Sequence, residues 1–108
     1  MEEIKVGDYV RTKEGEIIKV REDYNIFTDD DGLFIDAYML PYEQKIIKHS
    51  SNIIDLIEVG DYVNGEKIIE IDASKDWIDI GREVLFQKDI KTIATKEQMK
   101  SIEYVVKE

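Results

Sequence analysis

The chain has 108 residues, with 15 Lys and Arg against 25 Asp and Glu, for a formal net charge of −10 at pH 7. That balance opposes binding to nucleic acid or anionic membranes, because affinity for phosphates draws on Lys and Arg. It suits partners with basic surfaces, and it also keeps a small protein soluble. With no cysteine in the chain, a disulfide framework, a thiolate metal site and a cysteine nucleophile are all excluded.

Hydrophobic residues make up 43% of the chain, enough to argue for a folded domain despite the charge. No stretch approaches the roughly 20 apolar residues of a membrane span. Met1-Glu2-Glu3-Ile4-Lys5 lacks the basic start and apolar core of a signal peptide. A soluble, cytoplasmic protein is expected.

One phrase occurs twice, as Val6-Gly7-Asp8-Tyr9-Val10 and as Val59-Gly60-Asp61-Tyr62-Val63, at a spacing of 53 residues. An isoleucine stands two residues before each copy (Ile4, Ile57), and a turn and a second apolar run come after each. This reads as an internal duplication, with units at 1–56 and 57–108. Units of that size lie near the lower limit of a self-sufficient core, so packing of the two on each other or homodimerisation is expected.

In the first unit the phrase predicts a strand with a glycine-shaped bend, and Asp8 is placed to bond the local backbone. Residues 11–16 are a polar hairpin connection, and the β-branched run 17–20 is the second strand. A stretch free of Lys and Arg then extends from residue 22 through 44 and carries Glu22, Asp23, Asp29, Asp30, Asp31 and Asp36. Within it two apolar runs flank Asp29-Asp30-Asp31-Gly32, a hairpin signal with Asp-Gly as the turn pair. Three contiguous aspartates do not supply the alternating carboxylates and closing glutamate of a calcium loop. No metal or other cofactor is expected. Pro41 marks a strand edge or turn, residues 51–55 form one helical turn entered through a Ser or Asn cap, and 56–59 resumes extended structure.

The second unit repeats the plan, with Asn64-Gly65 as a primed hairpin turn and 68–71 as the counterpart of the second strand. Trp77-Ile78-Asp79-Ile80 alternates like a half-buried strand and ends at Gly81; strands are also expected at 84–86 and 89–93. Thr95-Lys96-Glu97-Gln98 is a capping-box pattern opening a short helix to about Ser101, succeeded by a closing strand at 102–106. The fold class is therefore all-β with two short helices.

Strands, one helical turn and a closing strand in each half resemble the plan of an SH3-like small barrel. The phrase with its glycine turn resembles a KOW-type opening hairpin. The resemblance rests on residues 6–20 and 59–71 plus the late helical turns, and implies two tandem SH3-like barrels. A second resemblance, carried by residues 57–65 and 93–104, is to small proteins of Firmicute phages and prophages. Small acidic phage proteins of this type include inhibitors of host immunity, which implies an anti-defence (anti-CRISPR-type) role in the host cytoplasm.

The chemistry-bearing residues are few. His49 is the single histidine, and neighbouring Ser50 and Ser51 rarely achieve nucleophile–base geometry with an adjacent residue. The acids mostly alternate with apolar residues, as on a solvated strand face, and no phosphate-binding glycine loop is present. Enzymatic activity is not expected. Asp23, Asp29, Asp30, Asp31 and Asp36 form the candidate acidic face for a protein partner with a basic surface, and Trp77 is a candidate anchor or core residue. The three arginines, Arg11, Arg21 and Arg82, are the alternative candidates, as a cluster for a phosphorylated ligand such as a nucleotide signal. Three separate surface arginines is the plainer reading, and a phage structural or assembly protein is the remaining alternative.

Overall fold

In the computed structural model, which describes residues 3–102, three antiparallel sheets and one α-helix account for most of the regular structure. The protein is all-β in class, and it divides into two units, Met1–Leu56 and Ile57–Glu108.

Unit 1 contains β1 (Tyr9–Thr12), β2 (Ile17–Lys19), β3 (Asn25–Asp29), β4 (Gly32–Asp36) and β5 (Gln44–Ser50), then a 3-10 turn at Ile53–Asp55. The strand order is β2-β1-β5-β4-β3. Seven-residue β5 makes this possible by serving two partners. Its first residues pair with β4 (Phe34 with Lys45, Ile35 with Gln44) and its later ones with β1, across an irregularity at Arg11/Thr12. One face buries Val10, Ile18, Val20, Tyr24, Ile35, Ala37 and Ile46, with Ile26 and Leu33 packed against them. Full burial of each such aliphatic side chain is worth about 2 kcal/mol.

Unit 2 holds two three-stranded sheets. One has the order β11-β6-β7, from β6 (Tyr62–Val63), β7 (Glu66–Lys67) and β11 (Ile93–Ala94). The other has the order β10-β9-β8, from β8 (Glu70–Asp72), β9 (Trp77–Asp79) and β10 (Val84–Phe86). Helix α1 spans Lys96–Ile102. Its start is the expected capping box: Thr95 Oγ1 accepts from Gln98 N–H at 3.3 Å, and Gln98 Oε1 accepts from Thr95 N–H at 3.0 Å. Val63, Ile68 and Ile78 are completely buried in this unit.

The repeated phrase builds one device in both units. Residues 5–8 and 58–61 are tight turns, closed by Asp8 N–H to Lys5 O and Asp61 N–H to Glu58 O, both at 3.0 Å. Gly7 and Gly60 sit at the third position with φ of +95° and +99°, the left-handed value this turn requires there. Each aspartate then folds back onto its own turn: Asp8 accepts from Lys5 N–H at 3.0 Å, and Asp61 from Glu58 N–H at 2.7 Å. A hairpin closes behind each turn. Gly7 N–H donates to Val20 O and Val20 N–H to Asp8 O; Gly60 N–H donates to Ile68 O and Ile68 N–H to Asp61 O.

Val20 and Ile68 are thus equivalent, which corrects the expected match of 17–20 with 68–71. The second hairpin turns at Asn64-Gly65, with φ of +52° and +83°, and returns through β7. The run from Ile69 instead leads into β8 of the next sheet. Other expectations are also revised. Helical turns come after the strands that pair with β1 and β6, namely β5 and β11, and residues 56–59 are not a strand. Near residue 90 only Ile93–Ala94 is extended, preceded by a 3-10 turn at Gln87–Asp89. In place of two short helices there are one α-helix and three 3-10 turns among the described residues. Helix α1 reaches Ile102, and the rest of the expected strand at 102–106 lies outside the described residues.

Candidate functional site

The acidic stretch folds as the β3–β4 hairpin of unit 1. Asp29 pairs with Gly32, so the turn residues are Asp30-Asp31, one position earlier than the Asp-Gly pair expected from sequence. Asp29 Oδ1 accepts the Asp31 N–H at 2.7 Å, an Asx turn that stabilises the tip without help from other elements. Ile26, Ile35 and Leu33 point to the core, which sends Phe27, Phe34 and Asp36 to the opposite face. There Phe27 and Phe34 stack with ring centres 5.6 Å apart and planes 13° from parallel. Asp23, Asp29, Asp30, Asp31 and Asp36 are all exposed. The hairpin is therefore an acidic element with a locally bonded tip and an aromatic pair midway along one face. Lys45 of β5 lies beside it, cross-strand from Phe34, its stem next to Gly32.

Trp77 stands in unit 2, half-buried on β9, between Phe86 of β10 and Asp72 of β8. Ile78, next to it, points to the core and is completely buried.

The three arginines have three different roles. Arg11 is completely buried, and its Nη1 donates to the Leu56 carbonyl at 3.0 Å. It is a core residue of unit 1, contrary to the surface position expected for it. Arg21 is exposed and donates to the Tyr38 hydroxyl at 2.9 Å, while Tyr38 meets Tyr24 edge-on at 5.8 Å. The Tyr24 hydroxyl, then the Tyr38 hydroxyl, raise the Arg21 pKa further above its already high ordinary value. Arg82 pairs with Glu66 at 3.1 Å on the surface of unit 2.

Sequence reasoning missed a basic cleft. In unit 2 the phrase residues Gly60 and Tyr62, with Lys67, Lys96, Met99 and Lys100, line a hollow of about 480 Å³. Lys96 pairs with Glu58 at 2.6 Å, and that contact raises the lysine pKa. The available signal was the cross-strand position of lysine opposite each repeated tyrosine, Tyr9 with Lys19 and Tyr62 with Lys67. Lys19 Nζ lies 5.8 Å from the Tyr9 ring centre, within cation–π reach. The matching hollow in unit 1, about 580 Å³ beside Gly7, has Lys19 and Arg21 but also Glu22 and Asp23.

His49 is half-buried in β5 opposite Val10. The Ser50 hydroxyl donates to Asp55 at 2.6 Å and accepts from Asn52 N–H at 3.0 Å, so it supports the entry to the 3-10 turn. Asn52 holds the cap position without a side-chain bond. Among the described residues no group of three or more His, Asp or Glu is arranged to hold a metal ion, and no helix is long and apolar enough to cross a membrane.

Fold and surface together define a small all-β protein of two units carrying an acidic hairpin, a tryptophan-centred sheet face and a lysine-lined cleft. No family model matches the chain, and no curated protein or solved structure matches it.

Proposed function

We propose that this is a non-enzymatic binding protein of phage or prophage origin that inhibits a host defence effector. Its acidic surface mimics nucleic acid on the effector's basic binding surface. The single observation that carries the reading is the β3–β4 hairpin: five exposed aspartates on and beside a short, self-stabilised projection. Carboxylates carried on a formed hairpin meet a basic groove with less backbone ordering on binding than a disordered acidic segment would need. Each unit is taken as an SH3-like small barrel. In unit 1, β5 shared between two partners and the 3-10 turn after it support that reading.

Charge reversal at the tip, Asp29→Lys, Asp30→Lys and Asp31→Lys together, tests the proposal in a pull-down from host lysate at several salt concentrations. Loss of capture, and a weaker salt dependence of what remains, is the expected result. Capture and salt dependence equal to the unaltered protein would sink it.

One observation favours a second reading, a protein that sequesters a nucleotide signal. Lys67 and Lys100 line the unit 2 cleft beside Tyr62, with Lys96 engaged by Glu58 next to them, an arrangement that offers ammonium groups for phosphate and a ring for a base. Thermal unfolding with candidate nucleotides separates the readings, because a ligand that binds only the folded state raises the midpoint with concentration. Absence of any shift at millimolar nucleotide removes this alternative.

A further inference from the structure

The β8–β9–β10 sheet has two faces of opposite character. On one, Leu85, Ile78 and Ile71 align across the strands, with Leu85 and Ile78 buried. The other carries two rows of three, because cross-strand partners share a face. Phe86, Trp77 and Asp72 form one row; Val84, Asp79 and Glu70 form the next. The β10 end is apolar and open, with Phe86 44% and Val84 49% exposed. The β8 end is acidic. Trp77 stands in the middle.

Two of the carboxylates on this face, Asp72 of β8 and Asp79 of β9, are held in place. Asp72 Oδ1 accepts from the Ser74 hydroxyl at 2.6 Å and Lys75 N–H at 3.2 Å, and Asp79 Oδ1 accepts from Gly81 N–H at 2.8 Å. The Ser74 bond, above all, keeps the Asp72 carboxyl below its ordinary pKa and so ionised at neutral pH.

We infer that this face binds an extended segment of a partner protein in which an apolar side chain is succeeded two residues later by an arginine. The apolar side chain covers Phe86 and Val84. The arginine lies over the Trp77 ring and reaches Asp72 and Glu70. Spacing supports this assignment. Adjacent strands lie about 4.8 Å apart, so the β10 and β8 columns are separated by about 10 Å. Two extended residues cover about 6.6 Å of that, and the arginine side chain spans the remainder.

Charge decides against the other occupants. A second copy of the chain seated here would either set the carboxylates against their symmetry mates or cover Asp72 and Glu70 with Phe86 and Val84, and neither arrangement supplies them a cationic partner. A single-stranded nucleic acid stacking on Trp77 would set its phosphates beside Asp72, Asp79 and Glu70, where stacking surfaces for nucleic acid carry basic residues instead. A cationic group over an aromatic ring with flanking carboxylates gains from both contacts.

The inference rests on the protein being a binder of basic partners, but on residues separate from the acidic hairpin, so the two fail separately. Trp77 is the single tryptophan in the chain, which makes its emission a reporter of this face. The probe is a short blocked peptide repeating Leu-Ser-Arg-Ser, titrated into the full-length protein. A saturable blue shift is expected, weakened about tenfold in affinity by Phe86→Ser and several-fold by Glu70→Lys. The Asp29/Asp30/Asp31 reversal should leave it unchanged.

Several results overturn the inference. They are a peptide repeating Ser-Ser-Arg-Ser that binds equally well, a titration untouched by both face variants, or no shift with the leucine–arginine peptide. A shift that grows with protein concentration alone points to self-association, and one produced by oligothymidylate points to nucleic acid; either also overturns it. If the Trp77 response holds while hairpin reversal leaves host-partner capture unchanged, the acidic-mimic reading alone is lost. If hairpin reversal abolishes capture while Trp77 never responds, this inference alone is lost.

Discussion

Asp61→Ala is expected to destabilise unit 2 far more than the matched Asp8→Ala destabilises unit 1, although the two residues occupy the same place in the repeated phrase. Asp61 is completely buried. Its Oδ2 accepts from Glu58 N–H at 2.7 Å, closing the turn, and its Oδ1 accepts from Lys96 N–H at 2.8 Å, in the first turn of α1. Alanine leaves both amides without these carboxylate contacts. Hydrogen bonds to a charged group contribute about 1.5–3 kcal/mol each, and two of them put the loss at about 3–4 kcal/mol after partial rescue by water. Asp8 is only half-buried and bonds Lys5 N–H at an exposed site, so its replacement costs about 1 kcal/mol.

Urea unfolding read by Trp77 emission reports on unit 2 directly, and far-ultraviolet circular dichroism reports on both units. For a chain of this length a total stability of about 5–16 kcal/mol is ordinary, so Asp61→Ala shifts the Trp77 transition by a large fraction of the range. Asp61→Asn adds a control of equal shape: its NH2 group faces one of the two N–H donors, and about half the loss, roughly 2 kcal/mol, remains. Equal effects from the Asp61 and Asp8 alanine variants, or a neutral Asp61→Asn, would refute the argument that carboxylate bonds to buried amides hold this junction.

Asn64→Ala should cost about 2–3 kcal/mol in the same assay, because alanine disfavours a φ of +52° and three side-chain bonds disappear. Those bonds link Asn64 to Asp89 O, Lys91 N–H and Thr92 N–H at 2.8 to 3.1 Å; Asn64→Gly, which relieves only the backbone strain, should recover less than half. Two shifted groups set opposite pH limits. The Asp72 pKa is lowered below its ordinary 3.8, first by the Ser74 hydroxyl, so its contribution is present above that value and is lost as pH falls through the folded-state pKa. Ser74→Ala should move acid unfolding to higher pH. The Lys96 pKa is raised above 10.5, first by Glu58, so its contribution is complete below that value and is lost as pH rises through the folded-state pKa. Glu58→Gln should remove the corresponding alkaline step.

Local signals were legible in the chain. Asn64-Gly65 announces a primed turn because few other pairs tolerate two positive φ values. Thr95 and Gln98 satisfy each other's backbone donors at a spacing of three residues, and no tertiary contact is needed to recognise them. Strand pairing beyond the hairpins was not legible. Nothing in the composition of residues 44–50 says that one strand serves both β4 and β1, or that residues 56–59, apolar at all but Glu58, are spent on a turn and a buried connection. Arg11 shows the same limit at a single residue. It alternates with Val10 and Thr12 as a solvent-facing position should, yet all three are completely buried, because Leu56 O approaches from the far end of the unit to receive its guanidinium.

The repeated phrase explains why the acidic hairpin and the Trp77 face have no twin in the other unit. Its turn, its aspartate bond and its hairpin are closed within about fifteen residues, and they constrain only one return strand, reached at Val20 in one copy and at Ile68 in the other. The first hairpin is the longer of the two over that interval, and beyond the return strand the units diverge further. Unit 1 continues into one five-stranded sheet, whereas unit 2 opens a separate three-stranded one. The acidic β3–β4 hairpin and the Trp77 face both arise after the return strand, where the phrase imposes nothing. The lysine opposite each tyrosine lies in the return strand itself and is present in both copies. A device that fixes the start of each unit and leaves the remainder free is compatible with two different candidate surfaces on one chain that repeats the phrase. The chain resists exchange at its second hairpin turn. Transplanting residues 29–31 into the Asn64-Gly65 turn should break the second hairpin, because that turn requires positive φ at both positions, and the Trp77 unfolding transition should fall to lower urea as a result. An unchanged midpoint would show that the second hairpin does not depend on its turn.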